Sequence, residues 1–117
     1  MTKNKILKSN KIIATFMGWK VSKLHHEFNV CDEENQIWSD GKNARMLSSL
    51  KYHSDYSLLM AVVEKIEESG YTVKIEGKSC TIVPNTPPLW VIVKVEKNKK
   101  ESIHEAVIEL LKLNKKL

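Results

Sequence analysis

The chain has 117 residues, 42% of them hydrophobic and 28% charged, which are the proportions of an ordinary globular protein. This composition excludes a largely disordered chain, and the length suits one domain, residues 1–117, with a core of its own. We expect fraying only at residues 1–8 and 114–117. The formal net charge of +5 permits binding to nucleic acid or to an acidic protein, although a solvated lysine-rich surface explains it equally well.

The number of cysteines and the lengths of the apolar stretches indicate the cellular compartment of the protein. Two isolated cysteines, Cys31 and Cys80, are too few for the disulfide framework of a small secreted domain and favour a reducing compartment. No apolar run of signal-peptide length follows the basic N-terminus. The longest apolar stretches are far too short to cross a bilayer. We therefore expect a cytoplasmic protein with no membrane partner.

The first half of the chain gives the weaker secondary-structure signals. A helix capped by Ser9 or Asn10 is predicted to end at Gly18, because glycine adopts the left-handed conformation without steric cost. An uncertain hairpin follows, with one strand within residues 24–31. Its partner begins at Ile37-Trp38 and ends at a turn over residues 39–41.

The next segment is an amphipathic helix followed by a hairpin. Asp55 is a good N-cap for a helix that runs to about Ser69 and ends at Gly70. Apolar residues recur on one face of this helix: Leu58, Leu59, Val62, Val63 and Ile66. Alternating apolar and polar residues then predict a half-buried strand over residues 71–76, a turn at Gly77 and a returning strand over residues 80–83.

A third strand and a last helix complete the chain. Residues 89–96 form a continuous apolar run, which favours a central strand that is buried on both faces. Asn98 caps the last helix, with Glu101 three residues later in a capping box. The predicted order is α-(ββ)-α-β-β-β-α. It indicates the α+β class, with helices packed on an antiparallel sheet in an α/β/α sandwich-like arrangement.

Residues with catalytic or metal-binding chemistry do not form a convincing constellation. The densest cluster is His25-His26-Glu27 with Cys31 and Asp32, but adjacent histidines on a strand point to opposite faces and cannot easily share one ion. Cys80 alternates with Ile82 and is predicted to be a small buried hydrophobe rather than a nucleophile. We therefore expect no catalytic residue, metal or cofactor, and no enzyme activity.

Lysines and aromatic residues are the better candidates for binding. Candidate contacts to nucleic acid or a partner are two lysine clusters: Lys8, Lys11 and Lys20, and Lys94, Lys97, Lys99 and Lys100. The second cluster lies near the start of the last helix, where the helix dipole adds positive potential. Candidate contacts to a protein are four aromatic residues, of a type enriched in interfaces: Trp19, Trp38, Tyr52 and Trp90.

Four segments carry a resemblance to a known family. Residues 10–19 (NKIIATFMGW), 50–55 (LKYHSD), 59–67 (LMAVVEKIE) and 106–109 (AVIE) resemble small phage and prophage proteins with the phage "ABA sandwich" domain. Such proteins are common in viruses of the Bacteroidetes–Flavobacteria group. Tyr56 stands where the family pattern usually has tryptophan. The resemblance implies an α/β/α sandwich and a viral origin, and it supplies no catalytic residues.

Three functional hypotheses follow. The first is a viral protein that acts in the cytoplasm of a bacterial host by binding and inhibiting a host defence complex, for example an RNA-guided CRISPR nuclease. Its partner would be a host protein or ribonucleoprotein. The second is an RNA- or DNA-binding module that uses the lysine clusters. The third is a small-ligand binder or an enzyme, which would need a deep pocket with perturbed titrating groups.

Overall fold

The computed structural model describes residues 3–21 and 36–113. These residues form three α-helices, six strands in two antiparallel sheets and one short 3-10 helix. They fall into two compact units, residues 1–51 and 52–117, and each unit has a three-stranded sheet of its own. The predicted α+β class is confirmed, and the order of elements roughly follows the predicted one, with three described strands before the second helix where two are predicted.

The first unit begins with helix α1, Lys3–Phe16, which starts earlier than the predicted caps at Ser9 or Asn10. The helix starts earlier because its apolar face extends back to Ile6 and Leu7. Both cap candidates therefore lie within the helix, where they are buried. The predicted end is confirmed. Gly18 has φ +92°, and the N–H groups that follow the helix donate to its last carbonyls in a Schellman motif.

The sheet of the first unit orders its strands β1-β2-β3: β1 is Lys20–Val21, β2 is Ile37–Ser39 and β3 is Ala44–Met46. The predicted strand start at Ile37 and the turn after it are confirmed. Asp40 closes the turn by accepting the N–H groups of Asn43 and Lys42 at 2.7 and 2.9 Å, and these bonds lower the pKa of its carboxyl group. The strand predicted within residues 24–31 and the cluster around His25 and His26 lie outside the described residues.

The second unit follows its sequence pattern closely. Helix α2, Tyr56–Glu68, is capped by Asp55, whose Oδ1 accepts the N–H of Leu58 at 3.2 Å. Strands β4 (Tyr71–Glu76) and β5 (Ser79–Pro84) form the predicted hairpin. Strand β6 is Ile92–Val95, and helix α3 is Lys99–Leu113.

Both helices of the second unit cover the same face of its sheet. Helix α3 packs on β5 and β6, α2 packs on β4, and the two helices contact each other. The side chains between the helices and the sheet are almost fully buried and form the core of this unit: Leu59, Val62, Ile66, Cys80, Ile82, Ile92, Ile103, Val107 and Leu110. The result is a two-layer arrangement whose second sheet face carries no helix of this unit.

The predicted central position of the third strand is wrong. The strand order is β4-β5-β6, so β6 is an edge strand. Only Ile92 of its apolar run is buried, at 4% exposed, because it is the one apolar residue within β6 that faces the helices. The continuous apolar run therefore belongs to a strand that has apolar residues on both faces, and one of these two faces is not covered by a helix.

Candidate functional site

The uncovered face of the second sheet carries an exposed apolar stripe along its β6 edge. Its members, here named the valine band, are more than half exposed: Leu89 at 70%, Val91 at 60%, Val93 at 54% and Val95 at 66%. Val93 and Val95 belong to β6, and Leu89 and Val91 precede it. The four recur at every second position, which is the period at which side chains share one face of a strand. Scattered exposed apolar residues need no explanation, but a contiguous apolar stripe is typical of an interaction site.

The other edge of the same sheet is polar. On β4 the uncovered face presents Thr72, Lys74 and Glu76, and Lys74 and Glu76 form an ion pair at 3.1 Å with both side chains 69% exposed. Natural proteins protect an edge strand from unwanted pairing with charged residues of this kind. The two edges of the sheet therefore differ in character, and β6 is the unprotected one.

The one charged residue within β6 points away from the valine band. Lys94 lies on the helix-covered side, where its Nζ is 2.8 Å from Oε2 of Glu109 on α3. The hydrogen bond and the charge of Glu109 raise the pKa of Lys94. Because the ammonium group is held by α3, the outer face of β6 is left purely apolar.

A cleft opens near the start of β6 on the helix-covered side of the sheet, opposite the valine band: Tyr71 alternates with Val73 and Ile75 of that side, and Leu113 belongs to α3. It has a volume of about 540 Å³ and is lined by Tyr71, Pro84, Thr86, Pro87, Pro88, Trp90 and Leu113. Trp90 is half-buried and packs against Tyr71, with ring centroids 5.9 Å apart at 46°. No carboxylate, histidine or cysteine is among these lining residues, so the cleft suits an apolar side chain of a partner better than acid–base chemistry.

The structure separates the four predicted aromatic residues. Trp90 lines the cleft on the helix-covered side of the sheet, where a partner could reach it. Trp19, in the other unit, is half-buried. Trp38 and Tyr52 are only 6% and 2% exposed, so they contribute to the core rather than to an accessible surface.

The predicted lysines also fall into two groups, one in each unit. Lys8 and Lys20 are exposed and Lys11 is half-buried in the first unit. In the second unit, three of the four lysines make internal contacts. Lys94 pairs with Glu109, the Nζ of Lys99 lies 5.9 Å from the ring centroid of Tyr56, and the Nζ of Lys100 donates to the carbonyl oxygen of Ser54 at 2.9 Å.

Residues with catalytic potential do not converge within the part of the chain that the structure describes. Over residues 3–21 and 36–113, no group of three or more histidine, cysteine or acidic side chains could hold a metal ion. Cys80 is fully buried, and burial raises the pKa of its thiol to about 11, which makes it a poor nucleophile at neutral pH. Among these same residues, no helix is long and apolar enough to span a membrane.

The valine band was not predicted, because the apolar run of residues 89–96 is typical of a buried strand. Two features of the sequence nevertheless indicate an edge strand. Pro87-Pro88 before it and Lys94 within it are typical of an edge strand rather than a central one.

Comparison with known proteins found no relative of the chain. Neither the family models, nor the curated protein sequences, nor the solved structures contain a match to the chain.

Proposed function

We propose that this protein is a small phage or prophage protein that binds and inhibits a host defence complex, with an RNA-guided nuclease as the specific target class. The proposal that the protein binds a partner rests on the valine band, a contiguous apolar surface on the uncovered sheet face. The viral origin and the defence target rest on the resemblance to phage "ABA sandwich" proteins.

The chemistry of the surface favours a protein partner. Burial of an exposed valine or leucine side chain contributes roughly 1.5–3 kcal/mol, and several such side chains together suffice for a stable contact. Trp90 lines the cleft on the other side of the sheet and offers a separate aromatic contact, of the type most often found at the energetic centre of an interface. Phosphates and sugars offer little apolar surface for such a stripe, so nucleic acid is the less suitable ligand here.

The acidic side of α2 supports the same proposal. Glu64, Glu67 and Glu68 are exposed on this helix. Nucleases that hold an RNA–DNA heteroduplex do so in a positively charged channel. An acidic helix would be steered toward such a channel, because complementary charge accelerates association.

The proposal is tested by plasmid interference in a host strain that carries an RNA-guided nuclease. Expression of the protein is expected to restore transformation by a targeted plasmid toward the level of an untargeted one. The variant Val91→Ser with Val95→Ser removes apolar area without adding charge and is expected to abolish this protection. The matched control is Val21→Ser, which alters an exposed strand valine (44% exposed) in the other unit and should leave protection intact.

Affinity capture from host lysate identifies the target in parallel. The tagged protein is incubated with nuclease-treated and untreated lysate. We expect the same host protein in both samples, lost with the Val91→Ser, Val95→Ser variant and kept with Val21→Ser. Recovery of RNA or DNA alone, lost on nuclease treatment, would contradict the proposal and favour a nucleic-acid-binding module.

A further inference from the structure

Strand β6 has the features of an edge that accepts another strand. Among the described residues it pairs with β5 alone, its outer face is apolar, and its single charge is turned toward α3 and neutralised by Glu109. An edge strand left in this state exposes unpaired backbone groups that can extend the sheet. The polar β4 edge of the same sheet lacks this character.

The position of the valine band argues for extension of the sheet rather than for packing of two sheets face to face. Face-to-face packing would bury Lys74 and Glu76 along with the band, because all of them share the uncovered face. Burial of charged groups is costly. Addition of a strand beside β6 pairs its free backbone groups, brings the edge valines against apolar side chains of the added strand and leaves the charged edge in water.

We infer that the strand added to β6 is β6 of a second copy of the chain, paired antiparallel about a twofold axis that passes beside Val93. The valines of the run from Val91 to Val95 are placed symmetrically about Val93, one at each end and one at the centre. A twofold axis there places Val93 opposite Val93 of the second copy, and Val91 opposite Val95. Each copy thus supplies the apolar residues that the other one needs.

Charge selects this register over its neighbour. An axis beside Lys94 would place two ammonium groups directly opposite each other, and like charges at such positions are destabilising. With the axis beside Val93, Lys94 lies opposite Ile92 of the second copy instead. Like-charge repulsion between whole units is also small, since residues 52–117 contain ten lysines and nine carboxylates.

The size of the contact predicts a reversible dimer. One short strand edge per copy buries less than the roughly 800 Å² per partner that is usual for a stable interface. Association should therefore depend on concentration. The paired sheets keep all valine side chains on the uncovered face, so the band of one copy continues into that of the other.

The mass of the purified full chain, measured over a range of concentrations, tests the inference. We expect the mass to rise from 13.5 kDa toward twice that value as concentration increases. Val93→Lys, which places a charge at the centre of the contact, should hold the chain at 13.5 kDa, whereas Val21→Lys should not. A monomer at every concentration, or a dimer that survives Val93→Lys, would overturn the inference.

Single cysteines test the register in a Cys31→Ser background, in which the remaining Cys80 is buried. Val93→Cys is expected to form a disulfide-linked dimer on oxidation, because residue 93 faces its own copy. Val91→Cys and Val95→Cys should cross-link when mixed, and much less when oxidised separately. A dimer in which Val93→Cys fails to cross-link would overturn this pairing.

The dimer does not depend on the proposed function, so the two can fail separately. Loss of plasmid protection with an intact dimer would count against the defence target alone. A monomeric protein that still protects the plasmid would count against the dimer alone.

Discussion

At the scale of single residues, Cys80 illustrates how burial determines reactivity. The thiol lies on β5, in register with Ile75 and Lys94, on the face covered by the helices. Its side chain is fully buried, and desolvation raises the pKa of the thiol from 9.0 to about 11. Thiolate is the reactive form, so folding protects this residue from modification.

We expect iodoacetamide to label Cys80 at pH 8 about 100-fold more slowly in the native Cys31→Ser protein than in denaturant, since a shift of two pKa units lowers the thiolate fraction by that factor. Burial adds a steric barrier to this effect. Rates are measured by mass spectrometry, with glutathione as the free-thiol control. Equal rates in the native and denatured protein would contradict the burial of Cys80.

The same shift makes stability depend on alkaline pH. The pKa of Cys80 is raised in the folded state. Below about pH 9 the thiol is protonated in both the folded and the unfolded chain, so its ionisation does not lower the free energy of unfolding there. Between about pH 9 and 11 the unfolded chain loses the proton first, so the free energy of unfolding decreases. Replacement of Cys80 by alanine should remove this part of the decrease in a denaturant titration.

At the scale of elements, local capping explains why the helices of the second unit are where the sequence predicts. Asn98 Oδ1 accepts the N–H of Glu101 at 2.9 Å at the start of α3, and Asp55 performs the same role at α2. Such bonds satisfy N–H groups that have no partner within the helix. They depend on residues three positions apart and therefore need no tertiary information.

Asn98→Ala is expected to lower the free energy of unfolding by about 1 kcal/mol, because an N–H at the start of α3 loses its acceptor. Asn98→Asp keeps an acceptor and adds a negative charge that the helix dipole favours, so its stability should equal or exceed that of the wild type. Urea unfolding followed by circular dichroism measures both variants. An equal loss of stability in the two variants would show that the side-chain oxygen of residue 98 does not stabilise α3 as an N-cap.

At the scale of the whole molecule, the positive charge is unevenly distributed along the chain. Residues 1–51 contain nine lysines and arginines against five carboxylates, whereas residues 52–117 are nearly neutral. The lysine cluster at the start of α3 therefore lies in a unit that has almost as many acids as bases. This distribution weakens the case for a nucleic-acid site built on that cluster.

We expect Lys97→Glu with Lys99→Glu to leave capture of the host protein intact, because neither lysine belongs to the valine band. Lys100 is left unchanged since it bonds to the carbonyl of Ser54. The matched variant in the other unit is Lys8→Glu with Lys20→Glu. Loss of capture in either variant, together with an affinity that falls steeply as salt rises, would indicate phosphate contacts instead.

Features that depend on near neighbours in the chain could be predicted from the amino-acid sequence. The amphipathic α2, the β4–β5 hairpin, the cap at Asn98 and the stop at Gly18 all follow from spacing and from the conformational preferences of single residues. The α+β class follows from their order. The start of α1 was predicted too late, because two polar residues within a helix looked like caps.

Which faces of the strands and helices are covered follows instead from tertiary contacts. The same apolar run would be core in a central strand, and it became a surface because β6 lies at the edge and both helices of its unit pack on the other face. Likewise, Trp38 and Tyr52 are buried whereas Trp90 lines a cleft. Burial depends on contacts between residues that are distant in the chain. Hydrophobicity alone does not specify which of two apolar faces of a strand makes these contacts.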